Sequence, residues 1–231
     1  MNNAPTKEEA WQRTVDFFQT AGAHIVHLWF GSSPETVQWN TTCPDWWMDY
    51  YVQENFTAID HIGKHCATQS APLLYGSDTD EMNPVVTARF YEMMRDSVSA
   101  IGLRQGMAFP CPSPLPQFLG GINIGGDFSE AETKKLFGDK SNMLQVAAVM
   151  AHTRMQMLQQ QEMRDGRNLT DRQKDIILLL ANGHRTAEIA FRLNIKEETV
   201  QFHLSAARRV LGCATRDQLV AKAIYLGLLS P

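Results

Sequence analysis

Between residues 43 and 75, Trp47, Tyr51, Phe56, Asp60 and Tyr75 are residue types that could together enclose a small polar molecule. An indole N–H and a phenol O–H donate, and a carboxylate accepts. A ligand holding both carbonyls and an amide would be satisfied by this set, with the rings as walls. The same residues admit a plainer reading, in which the aromatics fill a core and Asp60 caps a helix. A second set lies towards the C-terminus. Val200, Leu204, Ala207 and Leu211 recur at i, i+4, i+7 and i+11, which builds one buried helix stripe. The opposite face then carries Glu198, Gln201, Ser205, Arg208 and Arg209, groups suited to base edges and phosphates. By composition alone, this pattern also describes an amphipathic helix with a solvated face.

Other chemistries find less support. His61 and His65 stand one helical turn apart, but no acidic or cysteine partner accompanies them at metal-site spacing, so no metal site is expected. Gly120, Gly121, Gly125 and Gly126 bracket a strand without the pattern of a phosphate loop, and read as turn or bulge glycines. No nucleophile, base and orienting group come together, so catalysis has no positive evidence and a non-enzyme without cofactor is expected. The four cysteines, Cys43, Cys66, Cys111 and Cys213, form no CxxC pair and read as free thiols.

The elements that must position these groups can be sketched from the pattern. The net charge of −4 conceals an asymmetry: residues 1–163 sum to −8 and residues 164–231 to +4, so the C-terminal part carries the charge that suits nucleic acid. All five tryptophans lie at or before Trp47. No stretch is apolar enough to span a membrane and no basic-then-apolar leader is read at the start, so a cytoplasmic location is expected. Residues 6–21 read as a helix. HIVHLWFG and ETVQWN read as strands around a turn with Ser33 and Pro34. PDWWMDYYVQENF is helical in period, and residues 83–100 form a further helix. GMAFP and FLGGINIGG read as a second hairpin, separated by a loop with prolines at 110, 112, 114 and 116. Residues 129–160 begin with Ser129 and Glu132 in capping-box order and run as helix, with a break near Gly138. Beyond a polar hinge containing Gly166, helices are expected at about 170–182, 185–193, 196–210 and 215–228. The sum is an N-terminal α/β/α sandwich with a central antiparallel sheet and an all-α C-terminal domain of four helices, with bounds 1–160, linker 161–168 and 169–231.

The last segment, from Leu169 to Leu229, resembles the LuxR-type helix-turn-helix of quorum-sensing regulators. Leu169, Thr170, Arg172, Gly183, Glu188, Ile189, Ala190, Thr199, Val200, Phe202, His203, Leu211, Gly212, Gly227 and Leu228 carry the likeness. Gln173 replaces the usual Glu, Lys196 a frequent Ser and Val210 a common Lys. The resemblance implies that Lys196, Glu198, Gln201, Ser205, Arg208 and Arg209 meet DNA. PDWWMDYYVQENFTAID, with Tyr75 beyond it, resembles the acyl-homoserine-lactone-binding domain of the same receptors over about residues 5–160. In that family the residue matching Trp47 donates to the lactone carbonyl, the one matching Asp60 accepts from the ligand amide, and the one matching Tyr51 contacts the acyl-side carbonyl. Cys43 replaces a frequent Tyr, His61 a Pro and Tyr75 a Trp. The resemblance therefore implies a ligand-responsive transcription regulator. Its small-molecule signal is an acyl-homoserine lactone or related amide, contacted by Cys43, Trp47, Tyr51, Phe56, Asp60 and Tyr75.

Its partners would be double-stranded DNA with a two-fold-symmetric promoter site and a second copy of the chain, without membrane attachment. On residues 141–161, Leu144, Ala148, Ala151, Met155 and Leu158 either supply that dimer interface or pack on the domain's own sheet. The competing class is a GAF-like ligand-binding or enzymatic protein with a vestigial DNA-binding domain.

Overall fold

The computed structural model describes residues 3–31, 37–81, 83–112, 119–165 and 167–229. Ser33, Pro34, Pro114, Pro116 and Gly166 lie outside the described residues. Two compact units are present, Met1–Gln156 and Met157–Pro231.

In the first unit, α1 (Lys7–Thr20) starts where the Thr6 hydroxyl accepts from the Glu9 N–H. Strands β1 (Ile25–Gly31) and β2 (Gln38–Thr41) pair antiparallel, with Trp29 opposite Trp39. The chain continues through α2 (Asp45–Gln53), a single 3-10 turn at Phe56–Ala58, α3 (His61–Thr68), β3 (Leu73–Gly76) and α4 (Ser77–Asp80). Next come α5 (Ala88–Ile101), β4 (Gln105–Pro110), β5 (Leu119–Gly126) and α6 (Glu130–Thr133). The sheet order is β2-β1-β5-β4-β3, antiparallel throughout. Both expected hairpin pairings are present, and β3 adds an edge strand that LLYG, only four residues long, does not announce by alternation.

Two boundaries depart from the sequence expectation for local reasons, and the break expected near Gly138 is present. α5 begins at Ala88 rather than residue 83, because Asn83 Oδ1 accepts from the Val85 N–H at 3.1 Å and holds a turn, while Thr87 caps the helix. The Ser129–Glu132 capping box forms, but the helix it opens passes through a π-helical turn, Lys134–Gly138, before α7 (Ser141–Arg164). α7 also runs through the first four residues of the expected linker, which contain no helix breaker.

Side-chain alternation sorts the sheet into two faces. Val26, Leu28, Phe30, Phe109, Ile122 and Ile124 are buried on one. There Phe109 stacks on Phe18 of α1 at 6.4 Å, and Phe30 meets the His152 ring of α7 edge-on at 5.9 Å. Gly120 makes that approach possible, since a Cβ at this position would fall 1.9 Å from His152 Nε2. The other face turns Ile25, His27, Trp29 and Gly31 of β1 towards a cavity whose wall also includes residues of α2, α3 and α5. The result is the α/β/α layering expected. Leu144, Ala148, Ala151, Met155 and Leu158 of α7 are all buried. Of the two uses left open for this row, packing within the chain is the one found. The exposed apolar residues of this helix include Met143, Val146 and Met150.

In the second unit, α8 (Asp171–Ala181), α9 (Thr186–Leu193), α10 (Glu197–Leu211) and α11 (Arg216–Tyr225) enclose Ile176, Ile177, Ile189, Val200, Leu204, Ala207, Leu211 and Leu219. Thr170 and Gln173 form a reciprocal capping box at the start of α8. The amide oxygen of Gln173 thus does what a Glu carboxylate does there. Between α9 and α10, Asn194 takes the left-handed conformation (φ 49°, ψ 50°) that ends one helix and redirects the chain into the next.

Candidate functional site

Two sites emerge, one in each unit. The first is a cavity of about 360 Å³. Of the six residues expected to meet ligand, Cys43, Trp47, Tyr51, Asp60 and Tyr75 line it. Phe56 does not: it is buried one layer back, against Tyr50, Tyr51 and Phe90. It shapes the wall by supporting Tyr51.

Asp60 caps a helix and also lines the cavity. Its Oδ1 accepts from the Ile62 N–H at 2.7 Å and caps α3, while its Oδ2 accepts from the Tyr51 hydroxyl at 3.0 Å at the cavity wall. Burial raises the Asp60 pKa, opposed by the Gly63 N–H and the Tyr51 hydroxyl. Tyr51 is pushed well above the usual phenol value, by burial first and then by the neighbouring carboxylate charge. The backbone N–H of Trp47 donates to the Pro44 carbonyl at 3.0 Å, whereas its indole N–H, at the cavity wall, makes no hydrogen bond among the described residues. Tyr75 packs its phenol over Gly106, its cross-strand neighbour on β4, where a Cβ would stand 2.5 Å from the ring. The cavity thus combines an unused indole donor, a carboxylate held in place from two sides and a long apolar wall.

Sequence reasoning missed the floor of this cavity. His27, Trp29 and Asn123 project from β1 and β5, with His27 directly opposite Asn123. Burial lowers the His27 pKa to about 4, so the ring is neutral near pH 7. A histidine on the inward register of an apolar strand was the available signal. His61 and His65, one turn apart, diverge: His61 is buried 3.3 Å from Asp80, and the exposed edge of His65 meets the Ala71 carbonyl. No group able to hold a metal is found among the described residues.

The second site is the outer face of α10. Val200, Leu204, Ala207 and Leu211 are buried, and Glu198, Gln201, Ser205 and Arg209 are exposed, as is Lys196 at the N-cap. Arg208 departs from this set. Its Nη1 donates to the Ala214 carbonyl at 2.9 Å, so the half-buried guanidinium ties α10 to the turn before α11. Gln201 is tied in as well. Arg216, in the first turn of α11, donates to Gln201 Oε1 at 2.7 Å and to Thr186 Oγ1 at 3.4 Å, and the Gln201 amide reaches Thr186 at 3.4 Å. Thr186 and Arg216 open α9 and α11, and only their places at helix starts hinted at a role. The triad joins the first residues of α9 and α11 to the second turn of α10.

Each of the two units matches a known protein family. Residues 6–155 match the autoinducer binding domain, and residues 167–223 match the luxR family of bacterial regulatory proteins. The chain is 32% identical to the HTH-type quorum sensing-dependent transcriptional regulator RpaR of Rhodopseudomonas palustris, over 79% of this chain and 71% of that protein. It is 28% identical to the transcriptional activator protein AhyR of Aeromonas hydrophila, over 86% and 75%. Its fold matches the crystal structure of Escherichia coli SdiA with a TM-score of 0.76 at 23% identity, covering 99% of this chain and 94% of that one. The chain belongs to the LuxR-type quorum-sensing regulators, ligand-responsive transcription factors that join an autoinducer-binding domain to a helix-turn-helix DNA-binding domain.

Proposed function

We propose that the cavity takes an acyl-homoserine lactone or a related amide signal, with Trp47 donating to a ligand carbonyl and Asp60 accepting from the ligand N–H. The observation that carries this reading is the pairing, in one cavity, of an unused indole donor with a carboxylate already oriented by α3 and Tyr51. Preorganised polar groups in an apolar enclosure select for ligands that match them, because a mismatched ligand leaves buried groups unpaired. The SdiA fold has also been solved in complex with octanoyl-rac-glycerol, an acyl ester without an amide. That ligand class is the second reading.

Ligand-induced thermal shift and calorimetry with a panel of acyl-homoserine lactones and octanoylglycerol test the proposal. A lactone is expected to stabilise the protein. Asp60→Asn is expected to weaken lactone binding by roughly 1.5–3 kcal/mol, one to two decades in affinity. Trp47→Phe is expected to weaken it by about 1 kcal/mol. Stabilisation by octanoylglycerol alone would transfer the site to the ester class.

In the cytoplasm, ligand burial would bias the DNA competence of a two-fold dimer, so that two α10 helices meet two half-sites. Gln201 and Ser205 face base edges, Glu198 lies beside them, and Lys196 and Arg209 meet phosphates. Met143, Val146 and Met150, exposed at i, i+3 and i+7 on α7, supply a seam for the second copy. Sedimentation of Val146→Glu is expected to show monomer where the parent shows dimer.

A further inference from the structure

The outer face of α10 is polar with one conspicuous exception. Phe202 is 69% exposed, and among the described residues its ring meets only the neighbouring His203, edge-on at 5.7 Å. It stands at the middle of the face: one turn after Glu198, one turn before Ser205 and two turns before Arg209, all of them exposed. The residues that hold the fold, Val200, Leu204 and Ala207, point the other way. Phe202 therefore contributes little to the domain core, and its large apolar surface is presented wherever Gln201 and Ser205 are presented.

When such a helix enters the major groove, the apolar feature it meets there on the unmodified bases is the 5-methyl group of thymine. The cytosine C5–H offers a much smaller apolar surface, and the remaining groups that mark base identity there are hydrogen-bond donors or acceptors, which an aromatic ring matches poorly. We infer that Phe202 is a specificity-determining residue that reads thymine by packing its ring on that methyl group. The inference rests on the assignment of α10 as the DNA-reading helix and deepens it. Two-fold symmetry then gives one methyl-dependent thymine in each half-site.

The test uses the full chain to select duplexes from a random-sequence pool, without ligand and with the lactone panel. Each thymine of the selected duplex is then replaced in turn by deoxyuridine, which keeps base pairing and removes only the methyl group. At one position per half-site the substitution is expected to weaken binding roughly fourfold, the factor that one buried methyl supplies. Phe202→Ala is expected to bind the unmodified duplex about tenfold more weakly and to be indifferent to deoxyuridine at that position. Phe202→Leu should retain part of the methyl dependence. Circular dichroism of Phe202→Ala should match the parent, since the side chain is outside the core.

If a duplex is selected but no thymine is methyl-sensitive, or if Phe202→Ala keeps the same methyl penalty, the inference is overturned while DNA binding stands. It is overturned equally if Phe202→Ala binds DNA unchanged, which would assign the ring to a protein partner. If no duplex is enriched under either condition, the DNA-reading assignment of α10 fails and takes this inference with it.

Discussion

The cavity and the α10 face hold similar polar groups in opposite surroundings. In the cavity, Asp60 and Tyr51 are half-buried and hydrogen-bonded to each other, and burial shifts the proton affinities of Asp60, Tyr51 and His27. On α10, Ser205 and Arg209 stand in water above a stripe of buried aliphatic residues. The contrast separates two ways of storing recognition. A buried polar group is costly to leave unpaired, so it must be built into the fold and acts on stability as well as on affinity. A solvated one is almost free until the partner arrives, and then acts on affinity alone.

The largest expected effect would break this contrast if it failed. Burial holds His27 and His152 at pKa values of about 4, against 6.5 when exposed. Between those values the unfolded chain binds more protons than the folded one, so stability falls as pH drops through the window. The loss is up to about 1.4 kcal/mol per histidine for each pH unit. All five tryptophans lie at or before Trp47, so tryptophan fluorescence reports the N-terminal unit. Its urea midpoint should fall markedly from pH 7 to pH 5, and His27→Leu should flatten the dependence. Helix signal from the C-terminal unit, whose His184 and His203 are only half-buried, should move less. Equal shifts in both units would remove the distinction.

Next in size, Gln201→Ala should weaken binding to a selected duplex by about 1–3 kcal/mol while leaving random DNA unaffected. Its effect on folding should stay within about 0.5 kcal/mol. Equal losses on selected and random DNA would show that Gln201 serves the Thr186 and Arg216 triad rather than the bases. Tyr51→Phe, by contrast, should lower both stability and ligand affinity, each by about 1 kcal/mol, because Asp60 loses a half-buried donor. A change in affinity without a change in denaturation midpoint would move Tyr51 into the solvated class.

The smallest effect is also the sharpest. Arg209→Ala should weaken all DNA alike and reduce the salt slope by about one. Arg208→Ala should leave the salt slope almost unchanged and instead loosen the turn before α11, which thermal denaturation would detect. The opposite assignment of slopes would mean that the Arg208 contact with Ala214 is exchanged for phosphate on binding.

What was legible in the sequence was local. The α10 stripe, the capping box at Ser129, both hairpin pairings and a cluster of cavity-wall residues from Cys43 to Tyr75 follow from periods of 2 and 3.6 and from residue chemistry within a few positions. The family likeness then supplied roles for Trp47, Tyr51 and Asp60.

Tertiary structure decided what periodicity leaves degenerate. α7 carries one apolar row at Leu144, Ala148, Ala151 and Met155 and further apolar residues at Met143, Val146 and Met150, and spacing cannot say which meets the core. Asp60 could cap a helix or line a cavity, and only the folded chain shows one oxygen capping α3 and the other held by the Tyr51 hydroxyl at the cavity wall. Arg208 and Arg209 are adjacent and chemically identical, yet one reaches back to Ala214 and the other reaches out. In each case the deciding partner is distant in sequence or lies on another element. A periodic pattern records which residues share a face, but not what that face will meet.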